Sequence, residues 1–245
     1  MEALLKYLAF VPAYAMDLAS LLASPKTFLK NKNQGAYQDW VNALTFFLIS
    51  TIIAFTIQTN GLKLDTKFLA NLIKVILISA VSTLVFAVLI KIAWRLVGGR
   101  GPLHSIILTQ FYVLSTYALI MCCLVLIFPS LYAIFYSEYY TEALRMTQKG
   151  LANFLNQIIN DEYTAFSPLY EKYPGLYRLG IMMLGTSCLV SVVWIIAIWG
   201  TYRQLNEASR VRSFAAFILC GLFSVPTFGF LFLLIAGGSM PAFQP

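Results

Sequence analysis

Five long apolar runs constrain this chain more than any other feature. They cover residues 40–59, 68–97, 105–128, 179–200 and 214–237. Each is long enough to cross the hydrocarbon core of a bilayer, which takes about 20 residues of helix. In lipid every backbone N–H and C=O must be satisfied inside its own segment, so each run is expected to be a helix.

Composition leads to the same place. Of 245 residues, 60% are hydrophobic and only 11% are charged, where soluble domains carry about a quarter. A water-soluble fold of this length does not hide so much apolar surface. The expected fold is all-α, a single polytopic helical bundle over residues 1–245, with five transmembrane helices.

The net charge of +7 does not point to nucleic acid, because the basic residues are scattered as flanks of apolar runs. Lys6, Lys26, Lys30 and Lys32 precede the first run. Arg95 and Arg100 lie in the turn after the second, with Lys91 just inside, and Arg203, Arg210 and Arg212 lie between the fourth and fifth. These alternate segments fall on one side, the cytoplasmic one by the positive-inside rule. The other side receives residues 62–67, the segment 136–178 with five acids against four basic residues, and an uncharged tail. The N-terminus is therefore expected inside and the C-terminus outside.

Two regions flank this frame. Over residues 4–22, Leu4, Leu8, Val11, Ala15, Leu18 and Leu22 recur at helical spacing, interrupted by Lys6 and Asp17. That pattern predicts an amphipathic helix lying in the interface, with a sixth crossing broken near Pro12 as the competing reading. Asp17 also spoils a signal peptide. Ser24, Pro25, Lys26, Lys30 and Lys32 read as a polar lead-in that completes residues 1–39. In 136–178, Leu144, Leu151, Phe154, Leu155, Ile158 and Ile159 form an apolar stripe, expected to be an extracytoplasmic amphipathic segment.

Chemistry-bearing patterns are few. His104 is the only histidine, and the cysteines (Cys122, Cys123, Cys188, Cys220) lie inside apolar runs without metal-site or redox spacing. No catalytic motif, metal site or cofactor is expected. No carboxylate falls inside a run, which disfavours a carboxylate proton relay. Lys74 and Lys91, near the ends of the second run, are expected to snorkel to headgroups. The third run gathers Thr109, Gln110, Tyr112, Ser115, Thr116 and Tyr117. Those side chains serve either helix–helix hydrogen bonds or, through Gln110, Tyr112, Ser115 and Thr116, the lining of a path. In the fourth run, Gly185, Thr186 and Ser187 would admit a close helix neighbour. Pro226 and Gly229 predict a kink in the fifth.

The turn Gly98-Gly99-Arg100-Gly101-Pro102 raises a phosphate-loop reading. It lacks the lysine of a Walker loop and the strand before a dinucleotide loop. Its glycines are expected to end one helix by a left-handed cap, with Pro102 opening the next. No nucleotide is expected there.

Three blocks resemble the Yip-domain family of five-span integral membrane proteins. They are Ser24-Pro25-Lys26-Thr27-Phe28; Trp94 through Pro102 followed by Tyr112 and Tyr117; and Trp194-Ile195-Ile196-Ala197-Ile198-Trp199-Gly200 leading through Tyr202-Arg203-Gln204-Leu205 to Ser209–Ala215. The chain departs from the family in lacking a proline near 115–117 and in the length of its outer segment. Eukaryotic members act in endoplasmic reticulum and Golgi trafficking and associate with Rab GTPases through a longer N-terminal region. This chain looks more like short bacterial members. The resemblance implies a non-enzymatic protein of the bacterial inner membrane, with a eukaryotic endoplasmic reticulum or Golgi member as the alternative. Expected partners are membrane lipids and other membrane proteins, or further copies of the chain. Arg95, Arg100, Arg203, Arg210 and Arg212 are the expected headgroup or partner contacts, at about 1 kcal/mol per cation near an anionic surface. The competing function is a small transporter, channel or lipid-translocating subunit.

Overall fold

The computed structural model describes residues 10–32, 36–59, 66–135 and 174–237. Seven helices and no strands occur among them: α1 (Phe10–Ala23), α2 (Pro25–Asn31), α3 (Tyr37–Gln58), α4 (Thr66–Leu96), α5 (Leu103–Phe135), α6 (Pro174–Leu205) and α7 (Arg210–Gly237). Four of them, α3 to α6, contain stretches long and apolar enough to cross a membrane. The expected fifth run forms α7, one helix that continues through Pro226 and Gly229. The stripe expected over 136–178 lies outside the described residues, except that 174–178 open α6 with Pro174 in first position, where a missing N–H costs nothing.

The described residues fall into two compact units, 1–116 with 195–245, and 117–194. In the first, α4 packs along α7 and touches α3, and α1 touches α2. The α5 portion of this unit is buried on nearly every face: Ser105, Ile106, Leu108, Phe111, Tyr112, Val113 and Thr116 all lie below 6% exposure. The three other candidate spans leave rows of large apolar side chains outward, such as Ile73, Leu77, Val81 and Leu84 on α4. A helix apolar on the outside needs a lipid solvent, and one buried all round is a core element.

The N-terminal region differs from its sequence reading in one way. The supposed polar lead-in is the short helix α2, started by Pro25 and burying Phe28 and Leu29. On α1, described from Phe10 onward, Leu21 is buried and Tyr14, Asp17 and Leu18 are half-buried. Ala15 and Leu22 of the expected stripe are exposed. The Tyr14 hydroxyl lies 2.9 Å from Ser50 Oγ. Burial raises the Tyr14 pKa, and the Ser50 hydrogen bond offsets part of that rise. Asp17, an apparent flaw in an apolar helix, accepts from Lys32 at 3.0 Å. The lysine reaches back instead of out, and its ammonium also sits 5.5 Å from the Phe28 ring centre.

Aromatic rings connect these N-terminal helices to the core helix. Tyr14 meets Phe46 at 4.9 Å between centroids, Phe46 meets Tyr112 at 5.0 Å, and Phe28 stands edge-on to Tyr112 at 5.2 Å. Each such pair adds roughly 0.5–1.5 kcal/mol beyond its buried area.

In the second unit, Ser191 donates to the Ser187 carbonyl at 2.6 Å. Its oxygen is then left to accept from Tyr117 Oη at 2.7 Å, joining the α5 and α6 portions. The close neighbour expected at Gly185 is absent among the described residues: a methyl built there meets nothing within 4 Å. Leu184 and Leu189 beside it are exposed, so this face of α6 points outward.

Candidate functional site at the basic end

Helix α4 ends in a full Schellman motif. Gly98 N–H donates to the Arg95 carbonyl at 3.0 Å and Gly99 N–H to the Trp94 carbonyl at 2.8 Å. Gly98 supplies the left-handed residue, with φ +87°, which the motif places just past the helix. Helix α6 ends the same way without a glycine. Glu207 N–H donates to Gln204 and Ala208 N–H to Arg203, both at 3.2 Å, with Glu207 at φ 51°.

The two turns dock on each other through Asn206, which is 1% exposed. Its carbonyl accepts from Arg100 N–H at 3.1 Å, and its side-chain amide donates to the Tyr202 carbonyl at 2.9 Å. A Cβ at Gly101 would lie 2.7 Å from both Asn206 Oδ1 and the Leu205 carbonyl, so only glycine fits there. Lys91 Nζ donates to the Gly101 carbonyl. This corrects the snorkelling expected for it: a carbonyl ten residues on, in the turn beyond the helix end, accepts from the ammonium. Pro102 stands at the cap position of α5, one residue before the helix, and its carbonyl accepts from Ile106 at 3.3 Å. On α7, Ser209 Oγ accepts from Arg212 N–H at 3.4 Å, a long N-cap bond.

These contacts explain the glycines. The N–H groups of Gly98, Gly99 and Arg100 all point to protein carbonyls, so they form no nest for a phosphate. Glycine here permits a backbone-to-side-chain approach and not a ligand.

The docking gathers the arginines. Arg95, Arg100, Arg210 and Arg212 are exposed and Arg203 is half-buried. The Arg212 guanidinium reaches to 3.5 Å from the Cβ position at Gly98, so the two basic turns share one surface. Glu207 is the one acid within these turns. Lys32–Asp17 is the ion pair found among the described residues, so none of the five arginines is salt-bridged to a carboxylate there.

The polar set of α5 sits elsewhere, inside the bundle. Gln110, Tyr112, Ser115 and Thr116 are at most 4% exposed. Ser115 donates to the Phe111 carbonyl at 2.5 Å, and the Tyr112 ring is held by Phe28 and Phe46. Gln110 Oε1, Tyr112 Oη and Thr116 Oγ1 have no hydrogen-bond partner. Sequence reasoning missed Asn206, Glu207, the carbonyl partner of Lys91 and the ring chain. The signal for the second turn was an Asn-Glu pair after a long apolar run, weaker than a glycine.

Fold and site together define a helical protein with four helices long and apolar enough to cross a membrane, carrying a basic cap built from two interlocked turns. Comparison with protein-family models, curated proteins and solved structures finds no match.

Proposed function

We propose that this chain is a non-enzymatic integral membrane protein, similar to the Yip-domain family, that organises membrane or binds lipid and protein partners through its basic cap. In this reading α7 is a fifth span, and the cap lies at the cytoplasmic headgroups of a bacterial inner membrane. The observation that carries it is the gathering of Arg95, Arg100, Arg203, Arg210 and Arg212 around two docked turns, none of them in a salt bridge among the described residues. Such a surface attracts anionic headgroups by roughly 1 kcal/mol per cation. It also suits an acidic segment of another membrane protein. Nucleotides and nucleic acid are not among the proposed partners.

The test is charge reversal of all five arginines to Glu, with mass spectrometry of co-purified lipid. The expected result is loss of most anionic lipid from the variant while zwitterionic lipid stays. Unchanged anionic lipid would remove the cap from the reading.

One observation favours a second reading, a transport path along α5: the unpartnered polar atoms of Gln110, Tyr112 and Thr116. It predicts that cysteines at positions 115 and 116 react with a hydrophilic thiol reagent. The packing of Tyr112 against two rings supports the organiser reading, which predicts that both stay unreactive.

A further inference from the structure

A cleft separate from the arginine cap lies between α2 and the end of α6. Lys26, Lys30, Thr201, Gln204 and Leu205 line this open cleft, which has a volume of about 110 Å³. One water needs only roughly 10–15 Å³, so a tetrahedral oxyanion has room. Lys26 and Lys30 are one helical turn apart and share a face of α2. The Lys26 stem crosses α6 at Gly200, its Cδ 3.8 Å from the Cβ position there. No carboxylate among the described residues pairs with either lysine.

Thr201 supplies the second, independent observation. It is 3% exposed, and its hydroxyl has no hydrogen-bond partner. Four other hydroxyls in these helices bond back to the carbonyl four residues earlier, Thr51 to Phe47, Thr83 to Ser79, Ser115 to Phe111 and Ser224 to Cys220, whereas that of Thr116, inside the bundle, has no partner either. Thr201 lines a cleft with two cations and forgoes that bond. A buried hydroxyl without a partner is costly, and an oxyanion oxygen in the cleft would accept from it. Exposed Gln204 adds an amide donor at the mouth. Ile196, four residues before Gly200 and 61% exposed, continues the same face of α6 as apolar surface suited to an acyl chain.

We infer that this cleft binds one phosphate oxyanion, with Lys26 and Lys30 supplying charge and Thr201 the buried donor. The phosphate is presented by an anionic lipid headgroup or arrives free in solution. The inference rests on the membrane reading above only for the lipid source. The site itself is local to α2 and α6 and does not use the arginine cap.

The experiment is native mass spectrometry of the full chain from nanodiscs of phosphatidylglycerol in phosphatidylcholine, with inorganic phosphate as competitor. The wild-type chain is expected to hold one phosphatidylglycerol per copy. Lys26→Gln/Lys30→Gln should weaken retention about 30-fold, two cations' worth of surface attraction. Thr201→Val keeps shape and charge and should weaken it about fivefold, one hydrogen bond's worth. Lys67→Gln, which removes an exposed cation at the start of α4, should leave the lipid bound in this cleft in place. If inorganic phosphate displaces nothing, the lipid is the source. If phosphate binds the wild type, but not Lys26→Gln/Lys30→Gln, and no lipid is retained, the source is soluble; both results uphold the oxyanion site. Undiminished retention in Lys26→Gln/Lys30→Gln would overturn it, as would an equal loss in Lys67→Gln, which would reduce the effect to bulk charge. A chain that stays soluble without detergent would defeat the membrane reading and leave the phosphate arm to decide the site.

Discussion

The turn after α4 and the turn after α6 close their helices with the same pair of hydrogen bonds, yet Gly98 holds the left-handed position in one and Glu207 in the other. The first turn is glycine-rich because it must also receive a neighbour: a Cβ at Gly101 would strike the Leu205 carbonyl and the Asn206 side chain. The second turn is the one that intrudes, and it does so with Asn206 at its corner. Glycine content therefore reports which turn is approached, and not which turn is tighter. Glu207 tolerates a strained φ because its neighbour Asn206 is fixed by the docking.

That comparison can be broken at several points. The largest effect is expected for Gly101→Ala, about 2–3 kcal/mol of destabilisation, since the new methyl meets backbone as well as side chain. An SDS-titration midpoint would measure it. Adding Asn206→Gly should recover only part, about 1 kcal/mol of coupling, because the Leu205 carbonyl stays. Full recovery would place the whole clash on Asn206.

Next in size is Lys91→Met, which keeps the stem and removes the ammonium from the Gly101 carbonyl. The expected loss is about 1.5–2 kcal/mol, in the range for charged hydrogen bonds. A loss near zero would return Lys91 to the headgroups.

The sharper contrast lies in the two left-handed residues. Gly98→Ala should cost about 1 kcal/mol. Glu207→Gly should change stability in the opposite direction by a smaller amount, about 0.5 kcal/mol, because relief of strain is offset by glycine's greater freedom when unfolded. Same-sign shifts in the two variants would mean that the turns are not equivalent in backbone.

Much of the frame was legible in the sequence because lipid enforces it: a run of about 20 apolar residues has one way to satisfy its backbone. The first turn was legible through Gly98. What stayed hidden depended on partners far away in the chain. The helix α2 is only seven residues long and was read as a polar lead-in, because its buried Phe28 and Leu29 are too few to show a period. Asp17 looked like a defect until Lys32 was found beside it. Lipid-facing and buried helices are both apolar, so periodicity did not mark α5 as the core element. Its polar side chains therefore admitted a path reading that their burial does not require. For the site, the arginines were visible as flanks of separate runs. Their convergence was not, since it depends on Asn206 meeting a turn more than 100 residues earlier in the chain.

The most direct test of the account is the membrane side of the two turns. Single cysteines at Arg100 and Ser209, both exposed, would be introduced where the four native cysteines have been replaced, and treated with an impermeant thiol reagent. The account predicts labelling of both sites in inverted membrane vesicles and of neither in intact cells. Labelling of either site from outside would contradict a basic cap held at the cytoplasmic face.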